Sequence, residues 1–136
     1  MTDKDIPKGD HVSRYCKPSS VIDGRLLPCA FAIRRREDYL SVNWIEYLGA
    51  RDLEAAVDAI CRVLRNKIKV KSGGRVAVIG VGTAMSVAFD AANKRIRIRH
   101  VSRPDDASHS GIFGYAHDDT AIAAALAKHA RPFETS

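Results

Sequence analysis

The sequence predicts an α+β fold with one mainly antiparallel sheet and two main helices, and three features carry that reading. Two segments, DYLSVNWIEYL (38–48) and KRIRIRHV (94–101), alternate apolar and polar residues with the period of a half-buried strand. A third, from Asp52 to Lys67, repeats Leu53, Val57, Ile60 and Leu64 at spacings of three and four, which draws the single stripe of an amphipathic helix. Strands and helices then follow one another without a regular βαβ rhythm, which argues against a parallel sheet. The chain has 136 residues, 46% hydrophobic and 28% charged, and fits one globular domain spanning 1–136.

Taken in order, residues 1–27 read as irregular, with Pro7, Pro18 and the turn-forming IDGR at Ile22 to Arg25. PCAFAIRR (28–35) reads as a strand with Phe31 and Ile33 on one face. The second strand ends near Trp44, with Leu40, Val42 and Trp44 on one side and Tyr39, Ser41 and Asn43 on the other. The helix that follows has Asp52 as its N-cap and Arg62, Arg65 and Lys67 at its end, in accord with its macrodipole. RVAVIGV (75–81) is a central strand, and TAMSVAFDAAN (83–93) reads equally as strand or helix. In KRIRIRHV, Ile96 and Ile98 turn inward and Arg95, Arg97 and Arg99 outward. Pro104, Asp105 and Asp106 make a turn, SHSGIFGY a glycine-containing loop, and Asp118 caps a last helix reaching Ala130. Residues 131–136 read as frayed.

No apolar run reaches the roughly 20 residues of a bilayer span. Met1 to Asp10 is polar, with three aspartates, and does not read as a secretory leader; the expected location is cytoplasmic. Cys16, Cys29 and Cys61 are odd in number and widely spaced, which suits a reducing compartment. The net charge of +6 is unevenly placed. No acid lies between Asp58 and Asp90, where Arg62, Arg65, Lys67, Lys69, Lys71 and Arg75 fall; Lys94, Arg95, Arg97, Arg99 and Arg103 form a second block. Two such blocks on one face would attract a phosphate-bearing partner, and apart they would only keep the domain in solution.

The tetrapeptide HVSR occurs at 11–14 and again at 100–103. On a strand the His and Ser of each copy point the same way, so two copies could supply an acid, a base and hydroxyl donors around a phosphodiester. The pattern resembles the two-histidine phosphoesterases, although those enzymes are longer and carry both motifs on paired strands. In PDDASHSGIFGY, Ser108, His109 and Ser110 precede two glycines that let backbone approach a ligand; the same residues would also serve a plain turn. In RYCKP, Tyr15 could stack on a base while Arg14 and Lys17 meet phosphates, or Tyr15 could tuck the segment onto the core. Gly80-x-Gly82 has Met85 where a dinucleotide fingerprint needs its third glycine, so that reading is rejected. His11, Cys16, His109 and His117 show no metal-ligand spacing, and Cys16 beside His11 is a weak nucleophile signal. Neither a metal nor a cofactor is expected.

Together HVSRYCKP, LPCAFAIRRREDYLSVNWIEYL and PDDASHSGIFGY resemble a family of small uncharacterised bacterial proteins with HxxRYC, AFxxRxxEDYLSVNW and PDDxSHxGIxG segments, over most of the chain. The resemblance implies a bacterial origin and an HxxRYC stretch that belongs to the domain; it brings no activity.

Three function classes follow. The first is a basic module binding a phosphate-containing partner, nucleic acid or nucleotide, through Arg14, Tyr15, Lys17, Lys67, Lys69, Lys71, Arg97, Arg99, Arg103 and Ser108. The second is a metal-independent phosphodiesterase or ribonuclease using His11, His100 and His109. The third is a non-catalytic protein-binding subunit, which an exposed apolar patch would mark.

Overall fold

The computed structural model describes residues 4–135. In chain order the elements are β1 (Lys4–Asp5), β2 (His11–Cys16), β3 (Val21–Ile22), β4 (Arg25–Leu26), β5 (Tyr39–Trp44), α1 (Leu53–Arg65), β6 (Arg75–Gly80), α2 (Val81–Ala92), β7 (Arg97–His100), β8 (His109–Phe113), α3 (Thr120–His129) and β9 (Arg131–Glu134). Seven strands form one sheet of order β1-β7-β8-β5-β2-β6-β9, with every neighbouring pair antiparallel. The expected α+β class and antiparallel sheet are therefore present, and the ambiguous segment after Gly80 supplies a third helix, α2. The IDGR turn closes the small β3–β4 hairpin, with Asp23 and Gly24 both at positive φ.

Four segments differ from expectation, each for a local reason. Residues 11–16 are no irregular stretch but an inner strand, paired with β5 on one side and β6 on the other. The alternation is hidden because Arg14 occupies an inward position between Val12 and Cys16. PCAF is a short 3-10 helix, Pro28–Phe31, because Pro28 sets the turn and withholds a ladder donor; Phe31 and Ile33 are still buried. SHSGIF is largely strand β8, not loop. The segment read as frayed pairs with β6 as the edge strand β9, where Pro132 is tolerated; Ser136 lies outside the described residues. The last helix starts at Thr120 behind Asp119, whose carboxylate accepts from Ala116 N–H and Lys94.

The sheet divides the core in two. Val12, Cys16, Leu40, Val42, Ala77, Ile79, Ile98 and Ile112 line one face, under α2, α3 and Phe31. Ala84 and Ala88 are small enough to seat α2 closely. The other face is covered only in part. Helix α1, capped by Asp52 accepting from Ala55 N–H at 2.8 Å, lays Val57, Ile60, Cys61 and Leu64 on Val76, Val78, Tyr15 and Phe133. Among the described residues no helix packs over the β5-β8-β7 half of that face, and Ser41 in the central strand is exposed.

Candidate functional site

The strand registers place the outward residues of this half-face in three cross-strand rows: Tyr39–Phe113–Arg97, then Ser41–Gly111–Arg99–Asp5, then Ser13–Asn43–His109. In the first two, Ser41, Arg97 and Asp5 are exposed, Tyr39, Phe113 and Arg99 are half-buried and Gly111 is buried; the third is buried throughout.

In the first two rows the Tyr39 and Phe113 rings lie 4.7 Å apart, tilted by 32°. Gly111 stands between them because a Cβ there would enter the Tyr39 ring and come within 2.9 Å of Phe113 Cε1. Its missing side chain lets Tyr39 lie down on the sheet. Arg103 donates to the Tyr39 hydroxyl at 2.6 Å. Arg97 and Arg99 flank the rings, so three cations of the second basic block share a face with two aromatic groups. Arg95 does not join them, because its guanidinium sits over Phe89 of α2.

The covered row is a polar network centred on Asp106, buried under the turn that precedes β8. Its carboxylate accepts from Asn43 Nδ2 at 2.8 Å, from Ser108 Oγ at 3.1 Å and from Lys67 Nζ at 3.1 Å. Burial alone would raise the Asp106 pKa, but these three donors outweigh it and hold the carboxyl below the usual range. Lys67 and Arg103 both reach this turn, so the two basic blocks meet there. The Ser13 hydroxyl, at the end of the row, is buried without a partner.

His109 Nδ1 lies 2.9 Å from the Val101 carbonyl and 3.3 Å from Arg103 Nε; the carbonyl can only accept, so with the proton on Nδ1 the shorter contact is a hydrogen bond and Nε2 is the basic nitrogen. Burial pushes its pKa down, and the neighbouring Arg103 and Lys67 add to that. The unfolded chain therefore takes up this proton first. The stability that neutral His109 contributes is complete above about pH 6.5 and is lost as pH falls toward the folded-state value. His109→Asn, which keeps a donor for Val101 but does not titrate, is expected to flatten the decline in urea midpoint between about pH 7 and pH 5. An unchanged slope would show that His109 does not carry it.

The other sequence candidates are placed elsewhere. His11 Nδ1 and backbone N–H both donate to Glu46, at 2.7 Å each. His100 donates from Nε2 to the Ala107 carbonyl at 2.7 Å, beside Trp44 and Tyr47. Val12 and Ile98 face the helices, so His11 leaves the opposite face of the sheet from His100; His109, next to the His100 partner Ser110, is also opposite it. The three imidazoles thus have three separate partners and no shared pocket.

Arg14 is a strut: it donates to the Ala30 carbonyl at 2.6 Å and to Ser41 O at 2.8 Å, where β2 and β5 have ceased to pair. Tyr15 packs under α1 and accepts from Lys71 N–H at 3.0 Å, so its ring is not offered to a base. Ser108 is spent inside the network. Lys17, Lys69 and Lys71 are exposed on loops. The Cys16 thiol is buried, and burial raises its pKa to about 11, which disfavours a thiolate nucleophile.

Among the described residues no three His, Cys, Asp or Glu side chains gather as a metal site, and no helix is long and apolar enough to cross a membrane. The large exposed apolar side chains Ile22, Tyr47, Ile68 and Phe89 stand on four different segments. Sequence reading missed Tyr39 and Phe113 as site residues. Their signal was present in the outward parity of Tyr39 and in the i, i+2 spacing of Phe113 from Gly111. Comparison with protein-family models, with curated proteins and with solved structures finds no match to this chain.

Proposed function

We propose that the uncovered half of the sheet binds single-stranded nucleic acid. The observation that carries this reading is the row Tyr39–Phe113–Arg97 on a face that no helix covers. Every nucleobase has a π-face, so unstacked bases can settle on exposed rings whatever their sequence, while neighbouring cations neutralise the backbone. Here the rings are braced from beneath by Gly111 and from the side by Arg103. Arg97, Arg99 and Arg103 provide the charge, and a duplex, with its bases already stacked, would gain only the charge.

The test is fluorescence anisotropy with a labelled oligouridine or oligothymidine of about 12 nucleotides over a salt series. Three arginines neutralising single-strand phosphates predict a log–log salt slope near −2, at about 0.7 per phosphate. A flat slope, absence of binding at about 50 mM salt, or preference for duplex would overturn the reading.

A further inference from the structure

We infer that Arg97 and Arg99 form a phosphate subsite that Asp5 fills from within the chain, so that β1 acts as a competing strap. This rests on the nucleic-acid reading and assigns one part of its surface. The Asp5 carboxylate lies 2.9 and 3.0 Å from Arg97 Nη2 and 3.6 Å from Arg99 Nε. Arg97 Nη2 donates to both carboxylate oxygens while Arg99 Nε stands at ion-pair distance, and phosphate oxygens carry the charge and acceptor geometry to take the carboxylate's place there. These are two of the three arginines that the open face offers, and the register sets Asp5 directly beside Arg99.

The strap is lightly held where it matters. β1 has two residues and pairs on one side only, at the edge of the sheet. The Asp5 side chain is 59% exposed and Arg97 58%, so water and salt compete for the pair, which belongs to the class of weak surface bridges. The next residue, by contrast, is fixed: Ile6 is buried and its N–H donates to the Ile98 carbonyl at 2.9 Å. A backbone phosphate could therefore displace the Asp5 carboxylate while Ile6 keeps the edge in register.

The experiment compares oligouridine binding, about 12 nucleotides long, by the wild type, Asp5→Asn, Asp5→Glu and Asp90→Asn. Asp90 is exposed on α2, which covers the other face, so its variant makes the same change in net charge away from the rows. Asp5→Asn is expected to bind ~3- to 10-fold tighter at low salt, as one nearby like charge is removed. Its salt slope should stay near −2, because phosphate meets the same three arginines once Asp5 is displaced. Asp5→Glu and Asp90→Asn should bind as the wild type does, and the gain should vanish in an Arg97→Gln/Arg99→Gln background. Thermal melts of each variant verify folding. Binding that is present but unmoved by Asp5→Asn, or an equal gain from Asp90→Asn, overturns the strap and leaves the nucleic-acid reading standing. No binding by wild type or Asp5→Asn removes both.

Discussion

Combining Phe113→Ala with Tyr39→Leu is expected to weaken binding of an oligouridine by about 30-fold or more, while retention on heparin stays near the wild-type level. The two ligands differ in what they can use on this face. Stacking of a base on an aromatic ring contributes roughly 1–3 kcal/mol, and the row offers two rings. Heparin carries charge without bases and would feel the surface cations, all of which the variants keep, although Tyr39→Leu releases Arg103 from the hydroxyl it holds. Leucine at position 39 keeps an apolar cover over Gly111 and beside His109, so the sheet is not opened. A parallel fall in heparin retention, or no change in oligouridine affinity, would mean that the rings do not receive bases.

Asp106→Ala should cost the fold about 2–4 kcal/mol, read as a lower urea midpoint with an unchanged denaturant slope. The loss comes from the groups left behind. Asn43 and Ser108 are buried and would lose the acceptor they share. The Lys67 side chain is 24% exposed and can turn to water, which keeps the figure below that of a fully enclosed pair. Asp106→Asn retains the shape and should cost less. Because the wild-type carboxyl is held below its ordinary range, its contribution is present above about pH 4 and drains away as pH drops through the folded-state pKa. The difference between wild type and Asp106→Asn should narrow over that interval. A change below about 0.5 kcal/mol for Asp106→Ala would show the network to be incidental.

The periodic segments were legible because local pattern and burial agree in them. Helix α1 carries its stripe and its Asp52 cap, and β5 and β7 alternate cleanly, so their positions and inward faces could be read directly. β2 was not legible, because its inward Arg14 breaks the alternation and is satisfied by two carbonyls distant in sequence. β9 was missed for a related reason: RPFE has no pattern of its own and is ordered by pairing with β6. The arginines of the open face could be named from the alternation of KRIRIRHV, whereas the doubled HVSR suggested a convergence that strand parity prevents.

What the sequence determined by itself is therefore the class of fold, the amphipathic elements and the outward side of each strand, since these follow from spacing along the chain. Only the tertiary structure decided which outward sides come together. Sheet order sets Tyr39 beside Phe113 and Arg97, residues far apart in the chain, and the limited reach of α1 leaves that row half-exposed. Strand neighbours and helix coverage depend on long-range packing, which a periodicity of two or 3.6 residues does not encode.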